Sequence, residues 1–126
     1  MLHLSLDDFI KFDDARPAVH ALADSGHARV LLICLKAGQA LKDHRSASQV
    51  ITHFMKGRAR FYADGVAQET EPGSVVLLEP NRFHRIEAPE GGGDCVVLVI
   101  MAPHPAREGY PRDQIDRIIP RAGQAT

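Results

Sequence analysis

Through the middle of the chain, apolar residues gather in short blocks separated by turn residues, roughly every ten positions. Ala28–Leu35 is rich in Val, Leu and Ile. Ser25-Gly26 just before it marks a turn, so Ala18–Ala23 is expected to fold back on it as a hairpin. Lys36-Ala37-Gly38 ends that run, and Gln49–Met55 is the next, broken by Lys56-Gly57. Arg58–Ala63 and Val66–Thr70 flank Asp64-Gly65, a strong two-residue hairpin signal. Pro72-Gly73 precedes the short apolar run Val75–Leu78, and Pro80-Asn81 turns the chain again. Phe83–Glu87 alternates weakly, Pro89–Asp94 is a glycine-rich loop, and Cys95–Met101 is the last strong strand. Eight or nine such strands predict an all-β protein, a sandwich or barrel of antiparallel strands. No interval between Ala28 and Met101 accommodates a crossover helix, which argues against a parallel sheet.

The two ends read differently. Leu4–Phe12, with Ser5-x-x-Asp8, suits one turn of helix. Arg112–Ile119, with Ile115, Ile118 and Ile119, suits a short amphipathic helix. Pro103, Pro105 and Pro111 keep the stretch between extended, and Gly123–Thr126 is expected to fray. Residues 1–126 are expected to form one domain, with a core of about 28–102 and terminal extensions 1–27 and 103–126. Composition agrees: 44% hydrophobic and 25% charged residues describe a globular chain rather than a disordered one. Fifteen basic against 16 acidic residues, a net charge of −1, argue against nucleic acid as a partner. The longest apolar runs, Val30–Leu35 and Cys95–Ala102, are too short to span a bilayer, and no secretory signal pattern opens the chain. The expected compartment is the cytoplasm. Cys34 and Cys95 both sit inside apolar runs, with no Cys-x-x-Cys, so they read as buried core thiols.

Seven histidines carry the candidate chemistry: His3, His20, His27, His44, His53, His84 and His104. A single histidine is more often a satisfied structural residue than a ligand, so the question is which of them converge. His44 follows Gly38 by six residues and His84 follows Gly73 by eleven, each leading into a strand.

The segment Gly38–Gly57, GQALKDHRSASQVITHFMKG, resembles the first sequence motif of the cupin superfamily. Gly38, His44 and Gly57 match the motif. Ser46 stands where it has a second His, and Val50 where it has a Glu. Gly73–His84, GSVVLLEPNRFH, resembles the second motif. Gly73 and His84 match, Pro80 is displaced by one place, and Asn81 replaces a Gly. The resemblance spans roughly residues 28–102. It implies a double-stranded β-helix, a jelly-roll barrel of two antiparallel sheets with short irregular or helical terminal segments. It also implies a site inside the barrel at His44 and His84, and a homodimer through exchanged or abutting edge strands, which would cover open sheet edges.

Many cupins hold a divalent metal (Fe, Mn, Ni or Zn) with four protein ligands, and this chain keeps two of those positions, His44 and His84. Ser46 is a poor ligand and Val50 is none. Val50, Thr52 and Phe54 share one strand face, and Gln49, Ile51 and His53 share the other, so His53 is expected outside the barrel. Other cupins bind small molecules without a metal. His44 and His84 would then face an apolar pocket with Phe54, Leu78 and Val97, there to bind a small carboxylate or phenol or to shuttle a proton.

Other candidates carry less weight. Arg58 and Arg60 are expected on an outer face, and Asp7-Asp8 and Asp13-Asp14 on solvated surface. Gly91-Gly92-Gly93 lacks the Lys of a phosphate loop, and Ser46 and Ser48 lack a nucleophile elbow. The expected function is small-molecule binding. The alternatives are a metal-dependent cupin enzyme of dioxygenase, isomerase or decarboxylase type, and a ligand-responsive regulatory module, although no DNA-binding helix pair is legible in the chain.

Overall fold

The computed structural model describes residues 1–104. The helix expected over 112–119, Pro105 and Pro111, and the frayed end therefore lie outside the described residues. Among the described residues, eight strands form two sheets: β1 (Ala18–Asp24), β2 (Arg29–Leu35), β3 (Gln49–Lys56), β4 (Ala59–Ala63), β5 (Val66–Thr70), β6 (Val75–Leu78), β7 (His84–Glu87) and β8 (Cys95–Ala102). One sheet has the order β1-β2-β8-β3-β6, the other β5-β4-β7. Every pairing is antiparallel. The β1–β2 and β4–β5 hairpins fall where the turn residues place them, and Asp64 and Gly65 take positive φ (50° and 80°), as a tight two-residue connection requires.

The two sheets face each other across one core. Leu31, Ile33 and Leu35 of β2, Val50 and Phe54 of β3, and Val97, Val99 and Met101 of β8 meet Ala59, Phe61 and Ile86 of the smaller sheet. The burial of β3 alternates residue by residue, with Val50, Thr52 and Phe54 buried. His53 lies on the other face, as the period of two predicts.

From Val30 on, β2 is apolar on both faces because the larger sheet is covered on both. Leu22, Leu32, Cys34 and Val96 form a second cluster, against which Leu4, Leu6, Phe9, Ile10 and Phe12 of the N-terminal segment pack. The helical turn expected there is a 3-10 turn, Leu6–Phe9. Ser5 makes no side-chain capping bond, so the turn closes through backbone bonds alone while its apolar residues pack on the sheet.

A bulge between Ala21 and Ala23 resets the parity of β1. Ala23 thereby comes opposite Val30 and Asp24 opposite Arg29, on the core-facing row. Gly57, at the β3–β4 turn, has φ +78° and lies so close to the neighbouring loop that a Cβ would meet the Asp94 carbonyl oxygen at 2.1 Å. No helix among the described residues is long and apolar enough to cross a membrane.

Candidate functional site

The two motif segments meet because residues 38–46 run antiparallel along β7. Gly38 donates to the Ala88 carbonyl, Ala88 to Gln39, Leu41 to Ile86, and Asn81 to Ser46. His44 and His84 are directly paired: the His44 amide donates to the His84 carbonyl at 3.0 Å, and the His84 amide returns the bond at 2.8 Å. Opposed residues of an antiparallel pair project to the same side. The two imidazole centroids accordingly lie 4.2 Å apart at an interplanar angle of 56°. His84 also stacks on Phe61 at 5.8 Å.

Each ring is held at Nδ1. His44 Nδ1 lies 2.8 Å from the Lys42 carbonyl oxygen, and His84 Nδ1 lies 2.9 Å from that of Arg82. A carbonyl only accepts, so each Nδ1 carries the hydrogen, and in a neutral imidazole Nε2 is then a lone-pair acceptor. Both rings favour the neutral form. Burial lowers the His44 pKa, against the raising effects of the Lys42 carbonyl and the Asp43 charge. Burial, together with the neighbouring His44, lowers that of His84 to about 4. The site therefore offers two Nε2 acceptors at neutral pH.

These rings line a narrow cavity whose enclosed part has room for about one water molecule; the space around it, solvent-open mouth included, is about 350 Å³. Its other walls are Val19, Leu31, Ile33, Leu41, Val50, Thr52, Ile86, Val99 and Met101. Phe54 and Leu78, expected in that wall, are not part of it. Phe54 is fully buried one step further along β3, edge-on to Phe61 at 6.2 Å, while Leu78 is half-buried on β6. Val97 likewise belongs to the core and not to the cavity wall. Thr52 is a polar wall residue that the sequence reading did not single out, although its parity with Val50 marked it.

Arg29 was also missed. It is 2% exposed and sits on the same face of β2 as Leu31 and Ile33. Its Nη2 donates to Asp24 Oδ2 at 3.3 Å, while Nε and Nη1 have no partner. His104 Nε2 contacts the other oxygen of Asp24. Burial alone would raise the Asp24 pKa, but the His104 and Arg29 contacts outweigh it and hold the carboxyl below its usual value. The signal for Arg29 was the alternation Arg29, Leu31, Ile33, Leu35, which places a cation on a core-facing row.

The remaining expectations concern residues away from the cavity. Arg58 and Arg60 pair with Glu71 and Glu69 on the surface. Asp14 pairs with Lys36, with its side chain 89% exposed. Ser48 Oγ donates to the Pro103 carbonyl at 2.5 Å and Ser46 Oγ accepts from the Ser48 amide, so both hydroxyls serve the backbone. Cys34 and Cys95 are buried free thiols.

The donor set does not fit a resident metal of the four-ligand kind. Among the described residues no group of three or more His, Cys, Asp or Glu side chains is placed to hold one ion. Where the motif has its further ligands, this chain has Ser46, bonded to the backbone, and Val50, in the apolar wall.

Comparison with known proteins agrees with the fold. An uncharacterised double-stranded β-helix protein from Klebsiella pneumoniae superposes with a TM-score of 0.76 at 17% identity, covering 82% of this chain and 91% of that one. A cupin superfamily protein from Desulfitobacterium hafniense gives 0.69 at 20% identity, covering 79% and 88%. An RmlC-like cupin from Desulfovibrio desulfuricans gives 0.74 at 24% identity, covering 82% and 97%. No curated protein matches the sequence. The family model of the AraC-like ligand binding domain matches residues 30–117. The fold, the two glycine-framed motif segments and this match together place the chain in the AraC-like ligand binding domain family, within the cupin superfamily.

Proposed function

We propose that the chain binds a small organic molecule in the cavity beside His44 and His84, and that the group facing them is a hydroxyl. The observation that carries this reading is the pair of Nε2 acceptors, each ring oriented by an Nδ1–H bond to a backbone carbonyl, set in an otherwise apolar wall. A mostly apolar cavity with a few convergent polar groups is the usual form of a small-ligand site. Two neutral acceptors call for a donor, an alcohol or a phenol. A carboxylate would meet lone pairs there and would have to bring a proton with it. The runner-up, a metal-dependent enzyme, has half of the expected ligand set and no step is assigned to it.

The test is calorimetric titration of the purified chain with phenol and with benzyl alcohol. The expected result is saturable binding that weakens at least about tenfold in the His44→Ala, His84→Ala double variant. Equal binding by the folded double variant overturns the assignment. Elemental analysis of untagged protein reads the runner-up directly: about one equivalent of Fe, Mn, Ni or Zn per chain would favour the enzyme.

The chain also pairs with a second copy in this reading. β6 is an edge strand, with Val75 and Leu77 exposed by 62% and 56%. Open edges and exposed apolar residues of this kind are normally covered. A monomer mass in sedimentation at ~10 μM would overturn the homodimer.

A further inference from the structure

We infer that Arg29 is an anion anchor at one end of the barrel interior, taking the carboxylate of a ligand whose hydroxyl faces His44 and His84. This deepens the pocket reading above and rests on it. Leu31 and Ile33, on the same face of β2, line the cavity. Arg29 is the next residue on that face, one two-residue step of about 6.6 Å beyond Leu31. Its neighbour across the sheet is Met101, whose own neighbour is Val50, and both of these line the cavity. Arg29 is thus rooted next to the cavity wall, in the same row as two of its residues, without being part of that wall itself.

The chemistry at that margin is incomplete. A guanidinium has five N–H donors. Asp24 engages Nη2, which leaves the Nε and Nη1 donors buried without a partner. Asp24 cannot serve them as well, because its other oxygen is held by His104. A buried donor without an acceptor is costly, and more so on a charged group. A carboxylate is the acceptor that matches a guanidinium best, through short charge-assisted bonds. A neutral amide or alcohol would leave the charge uncompensated.

The cavity wall next to Arg29 in the sheet, Leu31, Val50 and Met101, is apolar, as is Val99, which suits an apolar spacer. The ligand class is therefore a small hydroxy acid with an apolar middle. It carries its anionic group toward Arg29 and its hydroxyl toward the two Nε2 atoms.

The experiment titrates the full chain with two matched probes, 4-hydroxybenzoate and the uncharged 4-hydroxybenzyl alcohol, by calorimetry at pH 7.5. The acid is expected to bind about tenfold tighter or better. Arg29→Gln is expected to erase that margin while leaving the alcohol unchanged. The His44→Ala, His84→Ala double variant is expected to weaken both probes alike. Equal binding of the two probes to the wild type, or a margin that survives Arg29→Gln, overturns the anchor and leaves the pocket standing. Failure of both probes to bind the wild type at millimolar concentration overturns both readings. Should Arg29→Gln fail to fold, the wild type still decides. Acetate is expected to raise its melting temperature above that in acetamide at equal ionic strength, and equal melting temperatures overturn the anchor.

Discussion

The two ends of the barrel interior are built on the same strands and differ in nearly every physical respect. At one end, Leu35, Phe54, Ala59, Cys95 and Val97 are all fully buried, and the Leu, Phe and Val side chains each add roughly 1.5–3 kcal/mol by leaving water. At the other, the same face of β2 ends in Arg29, and the same face of β3 carries Thr52 near His44 and His84. Here burial works against the groups. It keeps the imidazoles neutral and leaves donors of a guanidinium unpaired. One end supplies stability, and the other uses some of it to hold polar groups out of water, which is the arrangement expected of a site. Strand alternation does not distinguish the two ends, since both obey it. The identity of the residue on each core-facing row does.

Substitutions test this contrast. The largest effect is expected at Gly57, beside the apolar end. An alanine there combines a positive φ with a Cβ 2.1 Å from the Asp94 carbonyl oxygen. Gly57→Ala should lower unfolding free energy by about 4 kcal/mol or more, read by urea denaturation. A loss below 1 kcal/mol would show that the loop yields freely. Phe54→Ala comes next, at about 3–4 kcal/mol, because it opens a cavity in the fully buried layer against Phe61. If it leaves probe binding beside His44 and His84 intact, the two ends are energetically separable.

The third prediction concerns pH at the polar end. The folded pKa of His84 is lowered from 6.5 to about 4. Between those values the unfolded chain binds the proton and the folded one does not. Stability from this group is therefore complete above pH 6.5 and falls as pH drops toward about 4. The loss is as much as roughly 3 kcal/mol, and His44, lowered in the same direction, adds to it. His84→Gln should flatten the melting temperature between pH 6.5 and 4. An unchanged slope would mean that the imidazoles do not drive it.

A smaller effect of opposite sign is expected from Arg29→Met combined with Asp24→Asn. Removing the buried pair should raise stability by about 1–2 kcal/mol while abolishing any preference for the acid probe. A loss of stability would mark the pair as structural. Last, Arg60→Ala breaks an exposed pair with Glu69 and should not move the denaturation midpoint measurably.

Much of this was legible along the chain. The turn pairs Asp64-Gly65 and Pro72-Gly73 and the alternation of Gln49–Met55 placed strands to within a residue or two of β3, β5 and β6, and parity put His53 outside. These are local properties, written in residues a few positions apart. The 3-10 turn was less legible, because Ser5 and Asp8 suggested a cap where apolar packing on the sheet holds the segment. The site was legible in part. His44 and His84 were singled out, but Phe54 and Leu78 were expected in a wall that Thr52 and Met101 help to form.

What the sequence determined by itself is the all-β character, the strand faces and the candidate histidines, since period and turn chemistry act over a few residues. The tertiary structure alone decided three things. It paired residues 38–46 with β7, bringing together two rings from segments far apart in the chain. It fixed both tautomers through carbonyls whose positions depend on that pairing. And through the β1 bulge it brought Asp24 back opposite Arg29, leaving Nε and Nη1 of a buried guanidinium without a partner, because register and desolvation are properties of the assembled sheets and not of any one strand.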